Sequence, residues 1–148
     1  MGSAADRLRV VGGLATLVVG AIHLQQYADF IKDVPTIGTL FLLNGFGAGL
    51  VCLLLATRLR VLAAVGGIAI AAGALISLAI ARYASSGVFG YVEPTFRGPV
   101  LISVVAEVIA VLSLAGYLGV AARFSVGGRP RAARPERAGS HAGRAGAG

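Results

Sequence analysis

The stretch "VPTIGTLFLLNGFGAGLVCLLLAT", residues 34–57, contains no charged side chain. A helix that crosses the hydrocarbon core of a bilayer, about 30 Å thick, needs about 20 apolar residues. Three further runs meet this requirement, at residues 10–28, 61–81 and 98–122, and the last contains a single charge, Glu107. The sequence therefore predicts four membrane-spanning helices.

The composition supports this prediction. The chain has 148 residues, of which 57% are hydrophobic and 13% charged, and its mean hydropathy is +0.85. Soluble domains are less apolar and carry about 25% charged residues. Arginine outnumbers lysine twelve to one, and with the excess of alanine and glycine this indicates a GC-rich bacterial genome. We expect a multi-pass protein of a bacterial plasma membrane.

The basic residues predict the orientation of the helices. Ten of them fall on one side of the predicted spans: Arg7, Arg9, Arg58, Arg60, Arg123, Arg129, Arg131, Arg134, Arg137 and Arg144. Only Lys32, Arg82 and Arg97 fall on the other side. By the positive-inside rule both termini are cytoplasmic. The net charge of +7 is thus a topology signal, and no nucleic-acid partner is expected.

A cleaved secretory signal and a cysteine-based disulfide or metal site are both rejected. The first apolar run follows two arginines, as in a secretory signal, but cleavage after Ala28 would place Gln26 where a small residue is required. Cys52 is the single cysteine, so it forms no internal disulfide and has no partner for a thiolate metal site.

We predict an all-α integral membrane four-helix bundle. Its parts are a cytoplasmic N-terminus at 1–9, a helical domain at 10–122 with helices at about 10–28, 36–57, 61–82 and 99–122, and a disordered cytoplasmic tail at 123–148. The arginines of the tail are suited to anionic lipid headgroups. The aromatic connection at 82–98 is expected along the outer interface, with a functional lid as the alternative.

Each predicted helix offers a polar group at a similar depth in the outer half of the bundle. Gly12, Thr16 and Gly20 form a small-residue stripe on helix 1, and His23 and Tyr27 lie on the same face. The other helices contribute Asn44, Ser77, Ser103 and Glu107. Helix 2 has a glycine stripe of its own, which contains Gly38, Gly45 and Gly49, and Asn44 is displaced from it by about 120°. The sequence predicts a buried polar layer.

Glu107 is the most informative residue of this layer. An ionisable side chain deep in a span costs roughly 2.5 to 3.5 kcal/mol, so it normally faces the bundle interior with a partner, for which His23 is the candidate. One interpretation is that the layer fixes helix register; the other is a proton relay, a ligand site or a cofactor pocket. No metal is expected, because one histidine and one carboxylate fall short of a usual ligand set.

Glu93 and Arg97 form a second feature, four positions apart in the outer connection. The simpler interpretation is a solvated ion pair. The alternative is a carboxylate that gathers a substrate at the mouth of the bundle.

The segments "HLQQY", "VPTIGTLFLLN" and "GVFGYVEPTFRGPV", within residues 9–122, resemble a group of uncharacterised small four-span membrane proteins of actinobacteria. The resemblance implies topology and source, and it carries no catalytic residue.

The leading functional hypothesis is a non-enzymatic membrane protein that self-associates or serves as an accessory subunit of another membrane protein, because the small-residue stripes exceed what one bundle needs. The alternative is a protein that handles protons or a small ligand through His23, Asn44 and Glu107. A membrane redox enzyme with a single-histidine haem is a weaker third hypothesis, and no cofactor is predicted.

Overall fold

The structure, a computed structural model, describes residues 4–127. Four α-helices are observed: α1 (Ala4–Gln26), α2 (Ile37–Leu55), α3 (Arg60–Tyr83) and α4 (Gly98–Gly127). A short π-helix, Tyr27–Ile31, continues α1. No strand is found in the described part of the chain, so the predicted all-helical architecture is confirmed there.

Two helix boundaries differ from the prediction. Helix α1 begins at Ala4 and includes Arg7 and Arg9, and α4 continues beyond residue 122 to Gly127. Arginine is a good helix former, so a charged residue ends an apolar run without ending the helix. The remainder of the predicted tail, residues 128–148, lies outside the described residues.

The four helices are long and apolar enough to cross a membrane, as judged by length and composition. The mean hydropathy of their most apolar windows is 1.5, 2.0, 2.3 and 2.2 in chain order. Less than half of each window is buried inside the bundle, between 22% and 44%. The outward surface is consequently rich in large apolar side chains, among them Phe46 and Leu53, which are 69% and 71% exposed.

The helices form an antiparallel bundle in which each packs against its neighbour in the chain, and α4 packs back on α1. The order of contacts shows the direction: Gly13 lies against Leu55 and Gly20 against Ala48, so α1 and α2 run in opposite senses. Helices α1 and α3 touch across the centre, whereas α2 and α4 do not meet. The seam between α2 and α3 is the least closely packed of the four.

Small residues allow the close approach of α1 to its neighbours. A Cβ at Gly20 would lie 2.6 Å from the Cβ of Ala48, and a Cβ at Gly12 would lie 2.6 Å from Leu114. Gly45 accommodates the side chain of Leu24 in the same way. Because lipid exerts little hydrophobic force between helices, such backbone proximity provides much of the packing energy.

The two ends of the bundle differ in packing. The end that carries the start of α1, the end of α4 and residues 56–59, which we call the terminal end, contains a closely packed core around Leu55, Leu114 and Tyr117. There Arg9 also donates a hydrogen bond of 2.7 Å from Nη1 to the carbonyl of Leu55 at the end of α2. The opposite end carries residues 32–36 and 84–97, and we call it the capped end. It contains a cavity.

Candidate functional site

The cavity at the capped end has a volume of about 380 Å³ and is lined by all four helices. Helix α3 turns Gly73, Ala74 and Ser77 toward it, and these small side chains leave the space unfilled. A Cβ added at Gly73 would meet no heavy atom within 4 Å. The cavity therefore lies along the loosely packed seam between α2 and α3.

The cavity reaches the side of the bundle through this seam. Leu40 and Leu43 of α2 line it, yet they are 40% and 62% exposed. Gly73 on the facing helix is likewise exposed. The side opening is thus bordered by apolar residues on the outward surface of the bundle.

Glu107 lies on the wall contributed by α4 and is 2% exposed. The hydroxyl of Ser103, one helical turn earlier, donates a hydrogen bond of 2.8 Å to Oε1 of Glu107. The second carboxylate oxygen, Oε2, is buried and has no hydrogen-bond partner among the described residues. Buried polar atoms in native proteins are nearly always paired, so an unpaired carboxylate oxygen in a cavity calls for an explanation.

His23 lines the same cavity from α1 and is 7% exposed. Its Nδ1 lies 2.9 Å from the carbonyl oxygen of Val19, which can only accept, so Nδ1 carries the proton. The imidazole ring packs against Phe41 with ring centroids 4.8 Å apart. His23 and Glu107 thus share a cavity, but the hydrogen bond expected between them is not formed, since Oε2 is unpaired and Oε1 accepts from Ser103.

Two of the remaining residues predicted for the polar layer lie at the cavity, and a third, Tyr27, does not. Asn44 and Ser77 line the cavity, and Oδ1 of Asn44 is buried without a hydrogen-bond partner in the described chain. The angular displacement of Asn44 from the glycine stripe explains its position, because Gly45 faces α1 while Asn44 faces the seam with α3.

Tyr27 does not line the cavity. The π-helix begins at this residue, and the amide of Lys32 donates to its carbonyl over 3.0 Å. This wider turn lies after Tyr27, so the spacing from His23 to Tyr27 remains that of an α-helix. The ring of Tyr27 instead lies beside Gly38, at the start of α2.

The connection between α3 and α4, residues 84–97, covers the cavity, and we call it the cap. Val88 and Tyr91 exchange two backbone hydrogen bonds of 2.9 Å around Phe89 and Gly90, whose φ angles are +49° and +80°. Positive φ at both central residues defines a tight type I′ turn. The turn directs Tyr91 toward the cavity, while Phe89 is 71% exposed.

Glu93 is a site residue whose environment was wrongly predicted. The ion pair predicted with Arg97 is present, but Glu93 is 4% exposed and lines the cavity, so the carboxylate is buried rather than solvated. Oε2 accepts a hydrogen bond of 2.8 Å from the hydroxyl of Tyr91, and Oε1 lies 3.5 Å from Nη2 of Arg97 without a hydrogen bond. The cap thus brings a second carboxylate to the cavity, as the alternative interpretation required.

Further contacts hold the cap in place. The amide of Glu93 donates to the carbonyl of Ala81 near the end of α3, over 3.0 Å. The guanidinium of Arg97 lies 4.8 Å from the ring centroid of Phe30, in the π-helix after α1. Burial, together with the hydrogen bond to Glu93, raises the pKa of Tyr91 to about 12. The phenol therefore stays protonated as the donor that orients Glu93.

Gln26 also contributes to the cavity wall, although it was not among the predicted site residues. It is 6% exposed and lines the cavity beside His23. Helical periodicity places Gln26 at the border of the small-residue face of α1, and this position could have indicated its place at the cavity. Within residues 4–127 no group of three histidine, cysteine or acidic side chains is arranged for a metal ion.

Comparison with known proteins does not supply a function. No family model, curated protein or solved structure matches this chain.

Proposed function

We propose that this chain is an integral membrane protein that binds a small ligand in the cavity at its capped end. The observation that carries the proposal is the carboxylate of Glu107, which is 2% exposed, lies in the wall of a cavity of about 380 Å³ and has a buried oxygen without a hydrogen-bond partner among the described residues. Binding pockets for small molecules have volumes of about 300 to 1,000 Å³, with apolar walls and a few polar groups.

The membrane location is supported by the surface of the bundle. Its outward residues are large and apolar, including Leu43, Phe46 and Leu53. Such a surface is unfavourable in water and suited to lipid. The basic residues favour an arrangement in which the terminal end is cytoplasmic and the capped end faces the outside of a bacterial plasma membrane.

This orientation is testable by labelling, because Cys52 is the single cysteine. In a Cys52→Ala background, a cysteine at Ser85 in the cap should react with an impermeant maleimide added to intact cells. A cysteine at Ala56, at the terminal end, should react only after lysis. The reverse pattern would overturn the proposed orientation.

A purely structural polar layer is less well supported than ligand binding. Polar groups that hold helices together do so by pairing with one another, and a partly satisfied network is less stable than an apolar core. Here Glu107 Oε2 and Asn44 Oδ1 lack partners among the described residues although both lie at the cavity. A ligand that pairs with them accounts for their presence.

The hypothesis of a self-associating or accessory subunit keeps part of its argument, because a Cβ added at Gly49 of α2 meets no heavy atom within 4 Å. It rested on small-residue stripes in excess of what one bundle needs. Gly12, Gly20 and Gly45 each contact another helix of the same chain, so these glycines are already used in intramolecular packing. A homo-oligomer or a membrane-protein partner remains a prediction, and we propose no catalytic residue.

The proposal is tested by filling the cavity without altering its polar groups. Gly73→Leu places a large side chain in the cavity, whereas Gly119→Leu, on the exposed surface of α4, provides a matched control. We expect native mass spectrometry of protein purified from its own membrane to show a bound small molecule in the wild type and in Gly119→Leu, and its loss in Gly73→Leu. An equal mass excess in all three proteins, or none in any, would contradict the proposal.

A further inference from the structure

We infer that the ligand is a lipophilic organic cation, a protonated amine carried on an apolar body. This inference rests on the proposed ligand-binding function and specifies its chemistry. It follows from three properties of the cavity wall: the sign of its charge, the kind of hydrogen-bonding groups it leaves unpaired, and the side on which it opens.

The described residues that line the cavity include two acidic side chains and one histidine, but no strongly basic side chain. The acidic residues are Glu93 and Glu107, and none of the lining residues is a lysine or an arginine. Glu93 has Arg97 beside it at 3.5 Å, whereas no basic side chain of the described residues forms an ion pair with Glu107. A buried carboxylate without a counter-charge is costly, so a positively charged ligand gains the most there, and an anion would be repelled.

The fully buried atoms of the wall that lack a hydrogen-bond partner in the described chain are oxygens that can accept. Oε2 of Glu107 and Oδ1 of Asn44 are buried without partners in the described chain, and each can accept. Because Nδ1 of His23 donates to Val19, its Nε2 is an acceptor in the neutral imidazole. A ligand must therefore bring donors, and an ammonium group brings up to three.

The rest of the wall suits an apolar body. The rings of Phe41 and Tyr91 line the cavity, and the face of an aromatic ring attracts a cation at close range. The opening between α2 and α3 is bordered by the exposed side chains of Leu40 and Leu43. A molecule dissolved in the apolar phase around the bundle can enter by this route, which selects lipophilic ligands.

A metal ion fits the acceptors less well than an organic cation. In residues 4–127 no three histidine, cysteine or acidic side chains are grouped for coordination. The cavity is also far larger than an ion requires, at about 380 Å³.

Three probes of similar size and different charge test the inference. They are 2-phenylethylamine, which is protonated at neutral pH, 2-phenylethanol, which is neutral, and 3-phenylpropionate, which is anionic. Binding is measured by calorimetric titration of the full chain in lipid nanodiscs. Nanodiscs without protein provide the blank for partition into lipid, and nanodiscs with Gly73→Leu test the position of the site, because that variant retains every polar group but lacks the space.

We expect the amine to bind the wild-type protein at least about tenfold more tightly than the alcohol, with no binding of the anion above the blank. Glu107→Gln retains an oxygen that can accept from Ser103, and it should reduce the affinity for the amine to that for the alcohol. Circular dichroism and gel filtration confirm that the variant is folded. Glu93→Gln tests the second carboxylate and should weaken amine binding to a smaller extent, since Arg97 already lies beside Glu93.

Each contrary outcome refutes a defined part of the account. Equal affinity for the amine and the alcohol, unchanged in Glu107→Gln, would overturn the cation inference and leave ligand binding intact. Amine binding that persists in Gly73→Leu would place the ligand elsewhere and overturn both. Absence of amine binding to a wild-type protein that carries a co-purified molecule would overturn the cation inference alone.

Discussion

Replacing Glu107 with leucine should stabilise the protein, and the sign of this effect separates a binding site from a structural layer. Glu107 lies about 13 Å along α4 from Gly98, at about 1.5 Å per residue, which places it well inside a span. An ionised side chain at such a depth costs roughly 3 kcal/mol. The hydrogen bond from Ser103 offsets about 2 kcal/mol of this cost, since its acceptor is a carboxylate.

The net cost of Glu107 to the unliganded fold is therefore about 1 kcal/mol. In Glu107→Leu this cost disappears, and the freed hydroxyl of Ser103 can donate to a carbonyl one turn earlier in its own helix. We expect the free energy of unfolding of ligand-free protein, measured by titration with a denaturing detergent, to rise by about 1 kcal/mol. Binding of the amine probe should be lost in the same variant.

The structural interpretation predicts the opposite sign. If Glu107 held the helices together, its removal would leave partners unpaired and would cost about 1 to 3 kcal/mol. Glu107→Gln provides the matched control, because it keeps the side-chain volume and an acceptor for Ser103. A loss of stability above about 1 kcal/mol in both variants would refute the reasoning.

Three further predictions concern packing, the cap and pH. Gly20→Val should lower the free energy of unfolding by about 1 to 3 kcal/mol, because its Cβ would lie 2.6 Å from the Cβ of Ala48. The control is Gly119→Val, since a Cβ added there meets nothing within 4 Å. Equal effects of the two substitutions would contradict the packing account. Gly87→Ala should open the cap, since Gly87 has a φ of +63° and an added Cβ would overlap the carbonyl oxygen of Tyr91. Hydrogen exchange at the amide of Tyr91 should then accelerate. Unchanged protection of that amide would refute the prediction. Burial and Glu93 raise the pKa of Tyr91 to about 12, so its contribution to stability is complete below about pH 10 and is lost as the pH rises toward 12; the difference in phenolate absorbance between the wild type and Tyr91→Phe should be a step near pH 12, and a difference that falls near pH 10 would contradict this.

The helices and most of the site follow from the sequence for a simple physical reason. Bilayer thickness fixes the length of an apolar run, and helical periodicity then fixes which residues share a depth and a face. These two rules place His23, Ser77 and Glu107 at one level, and all three line the cavity.

The errors arise where local backbone geometry departs from a regular helix. At the π-helix Tyr27–Ile31 the backbone packs against Gly38 of α2, and the ring of Tyr27 lies there rather than at the cavity. The turn at Phe89 and Gly90 folds the cap inward and buries Glu93, and this burial depends on contacts with α3 that a local pattern does not contain. The cavity itself arises from small residues on one helix facing a seam, which a one-dimensional pattern does not reveal.

The central claim is that the unpaired oxygen of Glu107 belongs to a binding site. A high-resolution density map of protein purified from its own membrane, with no ligand added, tests it most directly. The account predicts density for a non-protein molecule in the cavity, with a donor within about 3 Å of Oε2 of Glu107. A closed core without that density, in which Oε2 is hydrogen-bonded to His23 or Asn44, would contradict it.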